Sequence, residues 1–166
     1  VIAGIVPSTN PTSTIIYKSM IALKGGNAIV FSPHPGAKNC ILDAVRFVAE
    51  AAYQAGCPKG AISAISVPTM EATQELMRSD NTSLILATGG GAMVKSAYSS
   101  GTPAIGVGAG NGPAFIDKSA DVKAAVRRIL DSKTFDNGTI CASEQSIIVE
   151  KSMEAKVLGE LNAQGA

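Results

Sequence analysis

A doubly wound α/β domain with a parallel sheet, followed by the opening of a second domain, is the fold class this sequence predicts. Three observations lead there: short apolar runs without polar interruption, segments of helical period between them, and loops rich in Gly, Pro, Ser or Thr where the runs end. Uninterrupted apolar runs suit parallel strands covered on both faces. Strand–helix alternation is how such sheets are wound.

The elements follow in order. "VIAGIV" (1–6) reads as the first strand and residues 12–24 as the first helix. "NAIVF" (27–31) is the second strand, and 37–55 the clearest helix, with Ala37, Ile41, Ala44, Val45, Val48, Ala51, Ala52 and Ala55 at three- and four-residue spacing. Gly56 stops it and Pro58 keeps it stopped. "AISAISV" (61–67), a helix over 70–78, "SLILAT" (83–88), a helix over 91–99 and "PAIGVG" (103–108) complete the alternation. After the helical stretch "DVKAAVRRIL" (121–130) the pattern ends, and residues 133–149 read as the opening of a different unit. There is no fixed-period repeat, low-complexity tract or flexible linker.

Composition excludes several function classes. With 46% hydrophobic residues among 166, a large core is available, and a formal charge of +1 gives neither a basic footprint for nucleic acid nor an acidic tail. No apolar run reaches the roughly 18 residues of a membrane helix, and no signal-peptide pattern is present. A chain beginning at Val1 suggests a segment of a longer protein. Three widely spaced cysteines (Cys40, Cys57, Cys141) without a C-x-x-C, and a single histidine, fit neither a disulfide framework nor a metal site; a reducing compartment is expected.

Ligands of such sheets sit at the carboxyl ends of the strands. That rule selects "PSTNPTS" (7–13), "SPHPGAK" (32–38), "TGGGAM" (88–93) and "GAGNGP" (108–113). The glycines of "TGGGAM" would let backbone N–H groups approach a phosphate at a helix N-terminus, although a plain tight turn fits the same residues. The dinucleotide fingerprint G-x-G-x-x-G is absent. His34, between two prolines, reads as a surface turn residue with no catalytic role. Cys40 reads as a small core residue on the long helix and Cys57 as structural. Cys141 differs, because Gly138, Thr139, Ala142 and Ser143 leave access to its sulfur, and nearby N–H groups would stabilise a thiolate and a later oxyanion. A structural thiol fits the spacing equally well.

"VPSTNPTS", "ATGG", "GVGAGNGP" and "KTFDNGTICASEQS", in that order, resemble the CoA-acylating aldehyde dehydrogenases. That group includes the aldehyde half of bifunctional aldehyde-alcohol dehydrogenases and the aldehyde dehydrogenases of bacterial microcompartments. The resemblance implies a Rossmann-like cofactor domain over residues 1–132, lacking the usual glycine fingerprint, and a catalytic domain opening at 133–166. It implies Cys141 as nucleophile, with the Cys141 N–H and the amide of Asn10 holding the oxyanion. A gapless overlay on Pro7–Pro11 puts Thr9 at the asparagine position, so both stand as candidates. Thr88, Gly89 and Gly90 match the phosphate-binding turn, and Ser32 and Pro33 the loop beside the adenosine ribose; Ser8, Met93 and Gly108 complete the implied cofactor set. NAD is the implied cofactor, with NADP left open, and CoA the co-substrate. Hydrolytic relatives carry a water-activating Glu where this chain has Val107. A short-chain aldehyde such as acetaldehyde or propionaldehyde is implied, as are a homo-oligomer, a cytoplasmic or microcompartment location, no nucleic acid and no membrane. Two alternatives remain at this level: a phosphate-linked semialdehyde dehydrogenase of the same superfamily, and a non-catalytic nucleotide-binding or assembly module.

Overall fold

The first apolar run becomes β1 (Ile2–Ile5), whose four residues are all buried at the centre of a five-stranded sheet. The computed structural model describes every residue from Val1 to Ala166. Around β1 the strands β2 (Ile29–Ser32), β3 (Ile62–Ala64), β4 (Leu84–Thr88) and β5 (Ala104–Val107) lie in the order β3-β2-β1-β4-β5, all parallel. The order reverses between β1 and β4, the switch point at which doubly wound sheets open a crevice.

Side chains of a strand alternate between faces, and the two cores follow that rule. Ile2, Val6, Ile29, Phe31 and Ile62 pack with Ile15 and Ala22 of α1 (Pro11–Lys24) and with Ile41 and Val45 of α2 (Lys38–Gln54). On the opposite face Ala3, Ile5, Ile85 and Ala87 pack with Met77 of α3 (Met70–Arg78) and Ala97 of α4 (Gly91–Tyr98). Each fully buried aliphatic side chain contributes about 1.5–3 kcal/mol. One close approach needs glycine: a Cβ on Gly4 would stand 2.6 Å from Cδ1 of the fully buried Phe31, its neighbour across the β1–β2 pair.

The structure corrects three expectations. Cys40 is exposed. It precedes the buried Ile41 by one residue, a step of about 100° around a helix of 3.6 residues per turn, which carries it off the apolar face. The edge strand β5 is not covered on both faces, since Ile105 and Val107 are 59% and 51% exposed. The strand expected over 61–67 is also shorter, ending at Ala64.

The chain divides into two compact units, Val1–Ala109 and Gly110–Ala166. In the second, β6 (Gly112–Ile116) and β7 (Glu144–Val149) form a parallel pair connected through α5 (Val122–Thr134), and α6 (Glu154–Ala163) follows. Ile116, Val122 and Val126 bury against Met153 and Val157 there. Division by packing therefore falls before β6, earlier than the change of pattern at 132/133. No helix is long and apolar enough to cross a membrane, and no cluster of three or more His, Cys, Asp or Glu side chains offers a metal site.

Candidate cofactor cavity and nucleophile turn

The carboxyl ends of β1, β2 and β4 and the start of α3 enclose a cavity of about 470 Å³. It brings together Ser32, Pro33, Thr88, Gly89, Gly90 and Met93, all singled out from sequence, with Pro68, Thr69, Met70 and Thr73. Ser8 and Gly108 do not line it; Ser8 is exposed in the loop after β1, and Gly108 follows β5 half-buried. A larger cavity of about 690 Å³ lies in the second unit along α5, lined by Asp121, Arg127, Asp131 and Gln164, and holds none of the predicted site residues.

The glycine turn has a local logic. Gly90 caps α4 without a side-chain hydrogen bond, and Gly89 N–H donates to the Val107 carbonyl at 3.1 Å. A Cβ on Gly90 or Gly91 would meet no neighbouring atom. Folding therefore does not demand glycine at these positions, whereas a bare helix N-terminus presented to an anion does. The cavity lining contains no Lys, Arg, Asp or Glu, and its one titratable side chain is His34. His34 Nδ1 accepts from the Gly36 N–H at 3.1 Å, a local turn role.

At the β2 end two hydroxyls are locked together. Ser32 Oγ and Thr73 Oγ1 lie 2.7 Å apart, 2% and 5% exposed as residues, and Thr73 Oγ1 donates to the Thr69 carbonyl at 2.8 Å. Thr69 itself caps α3 by accepting the Ala72 N–H at 3.1 Å. Sequence reasoning missed Thr69 and Thr73. The strand-end rule applies equally to the loop after β3, and "PTMEAT" was not among the four loops it selected.

Asn10 stands at the N-terminus of α1 with φ −145° and makes no side-chain cap. Its carbonyl instead accepts from the hydroxyls of Ser13 and Thr14, at 3.2 and 2.8 Å, and its Oδ1 from Thr9 at 3.4 Å. Asn10 is half-buried and Thr9 exposed. Behind this loop lies a residue that no motif flagged. Lys18 on α1, 2% exposed, donates from Nζ to the carbonyls of Ile5 and Leu86, both at 2.7 Å. One side chain thus ties the carboxyl ends of β1 and β4, from which the Asn10 loop and the glycine turn depart. Burial pushes the Lys18 ammonium down to about 7.

In the second unit Cys141 is exposed in a turn between the tight bend Phe135–Gly138 and β7. Asp136, Asn137 and Gly138 have φ of 50°, 52° and 69°, a left-handed succession that Asn, Asp and Gly tolerate best. Thr139 Oγ1 fastens it through the Asp136 carbonyl at 2.7 Å and carboxylate at 2.6 Å. Ser143 N–H donates to the Ile140 carbonyl at 3.1 Å, closing a turn around Cys141. A Cβ on Gly110 would collide with the Cys141 carbonyl oxygen, so only glycine lets that backbone pass. Ser143 Oγ and Glu144 Oε2 are buried without a hydrogen-bond partner.

Comparison with known proteins fits this arrangement. The sequence profile of the aldehyde dehydrogenase family matches residues 1–165. The bifunctional aldehyde-alcohol dehydrogenase of Escherichia coli (strain K12) is 59% identical over 153 residues, 92% of this chain and 17% of that protein. An acetylating aldehyde dehydrogenase from Geobacillus thermoglucosidasius superposes with a TM-score of 0.90 at 59% identity, over 99% of this chain and 36% of that one. A Rhodopseudomonas palustris propionaldehyde dehydrogenase with bound propionyl-CoA does so with a TM-score of 0.89 at 36% identity, again over 99% and 36%. The chain thus spans about a third or less of the length of these relatives. With its family match running from end to end and its parallel sheet shared with those structures, this chain belongs to the aldehyde dehydrogenase family.

Proposed function

We propose that this chain carries the cofactor cavity and nucleophile of a CoA-acylating aldehyde dehydrogenase, converting aldehyde, CoA and NAD⁺ reversibly to acyl-CoA, NADH and a proton. The observation that carries the acylating reading is Val107, half exposed at the end of β5 where hydrolytic relatives carry a glutamate. A valine has no proton to accept or give and cannot serve as general base for water. A relative crystallised with propionyl-CoA supports the same reading.

Cys141 Sγ, as thiolate, adds to the aldehyde carbonyl carbon, and the resulting oxyanion is held by the Cys141 N–H and the Asn10 amide. The lining suits a nicotinamide dinucleotide: the bare N-terminus of α4 would take the pyrophosphate, and the Ser32–Thr73 hydroxyls would meet a ribose. Bound there, that cofactor supplies the hydride acceptor. The acyl group then rests on Cys141 as a thioester. The CoA thiolate attacks that carbonyl, a new C–S bond forms, and Cys141 leaves as thiolate. In this assignment the cofactor part lies within residues 1–132, and the catalytic part opens at 133 with the segment that holds Cys141. A short-chain aldehyde, a homo-oligomer, and a location in the cytoplasm or within a bacterial microcompartment complete the proposal.

Product analysis tests it. The intact protein, given aldehyde and NAD⁺ with and without CoA, is expected to form acyl-CoA, with free acid released at least about tenfold more slowly, a barrier difference of about 1.4 kcal/mol. Rapid multiple turnover to free acid without CoA would sink the acylating reading.

A further inference from the structure

In doubly wound folds a carboxylate reads the ribose 2′-hydroxyl of NAD, and an arginine accommodates the 2′-phosphate of NADP. This cavity is lined by neither. What it has at the β2 end is the Ser32–Thr73 pair, and the direction of their hydrogen bonds can be worked out. A carbonyl oxygen only accepts, so Thr73 Oγ1, 2.8 Å from the Thr69 carbonyl, gives its single proton there. Having none left, Thr73 can only accept from Ser32 Oγ at 2.7 Å, and Ser32 gives its own single proton in turn. The relay runs Ser32 to Thr73 to the Thr69 carbonyl. Both hydroxyl protons are committed, and each oxygen keeps a lone pair with which to accept.

We propose that this one-way hydroxyl relay, Ser32–Thr73, is the element that selects NAD over NADP, accepting a hydrogen bond from a ribose 2′-hydroxyl and offering a 2′-phosphate nothing to bind. The inference rests on the nicotinamide-cofactor reading of the cavity. Three further observations agree with it. Ser32 is held in place from its backbone, its carbonyl accepting the Val6 N–H at 3.1 Å. His34 is engaged by its own turn, with Nδ1 accepting from the Gly36 N–H. The N-terminus of α3, which also borders the cavity through Thr69 and Met70, already has an anion of its own. Glu71 in its first turn is held below the usual carboxylate range by its own backbone N–H and by the Thr69 hydroxyl.

The test is equilibrium binding of NADH and NADPH to the intact protein, read by reduced-nicotinamide fluorescence. NADPH is expected to bind at least roughly tenfold more weakly than NADH, by the cost of leaving phosphate oxygens unpaired. Ser32→Ala should weaken NADH about threefold to tenfold and narrow the gap, because one neutral hydrogen bond is lost. Thr73→Val takes away the relay's acceptor, frees the Ser32 proton to point at a phosphate, and should narrow the gap at least about threefold. Thr73→Ser keeps the relay and should keep the gap. A merely structural role would not move the NADH-to-NADPH ratio. If NADH and NADPH bind the wild type within twofold of each other, the relay inference is overturned while the cofactor reading stands; if neither binds, the cofactor reading itself falls. A wide gap that Ser32→Ala leaves unchanged also overturns the assignment to these hydroxyls, whether or not Thr73→Val folds.

Discussion

The cavity of the first unit and the Cys141 turn of the second are finished to different degrees. Around the cavity the buried polar groups answer one another: Ser32 with Thr73, Thr73 with Thr69, and Lys18 with two strand-end carbonyls. At the turn Cys141 is exposed, three successive residues are left-handed, and two buried oxygens shortly after it in sequence, on Ser143 and Glu144, have no partner; in the first unit Ser19 Oγ on α1, away from the cavity lining, is left likewise. Buried polar groups are ordinarily paired. The polar groups of the first region hold one another in a fixed pattern. The second leaves a thiol open and hydrogen-bonding capacity unused in the residues that follow it. Binding and chemistry should then separate when either region is altered.

The largest separation is expected from Cys141→Ala in the intact protein. It should abolish aldehyde oxidation while NADH affinity stays within a few-fold; residual turnover above a few per cent of wild type rules out covalent catalysis through this sulfur. Asn10→Ala comes next, with kcat lowered roughly 10²–10³-fold if its amide stabilises the oxyanion. Because Thr9 lies beside it in the same loop, Thr9→Ala is the paired measurement, and a larger loss there transfers the role to Thr9. Gly110→Ala sharpens the comparison differently. Its new Cβ would strike the Cys141 carbonyl oxygen and displace that residue's backbone, which should cost about 10- to 100-fold in kcat if Cys141 is the nucleophile. The cavity of the first unit should be untouched, and NADH binding that weakens in parallel would contradict the independence of the two regions.

The smallest effect concerns pH and Lys18. Its folded-state value, about 7, lies below the ordinary 10.5. Between these values the unfolded chain binds more protons than the folded one, so this group makes stability rise with pH across the window, by at most about 1.4 kcal/mol per pH unit. Denaturation midpoints of wild type and Lys18→Met, compared from pH 7 to 10, should diverge in favour of the wild type as pH rises. A constant difference would mean that the ammonium is not destabilised by burial.

Much of this was legible in the sequence. The five-stranded sheet could be read because its strands are apolar without interruption and its helices keep their period. The β6–β7 pair could not. "GPAFI" opens with Gly-Pro, and "EQSIIV" is polar for half its length. Both strands leave one face bare, with Phe115 65% and Ile148 48% exposed. The glycine turn announced itself by composition. The Ser32–Thr73 relay did not, because its partners are 41 residues apart on different elements and each hydroxyl is unremarkable alone. Lys18 was invisible for a related reason: a lysine within a helical pattern is ordinarily solvated, and only the fold reveals the two carbonyls waiting for it.

Gly4 constrains how such sequences can drift. Phe31 lies across the space where a side chain at position 4 would be, and it directly precedes Ser32. A larger residue at 4 is admissible only together with a smaller one at 31, and that exchange would shift the strand end from which Ser32 meets its partner. Changes at the two positions should therefore be coupled. If the relay sets cofactor preference, that preference has an easier path to change through Ser32 or Thr73 themselves than through the strands beneath them.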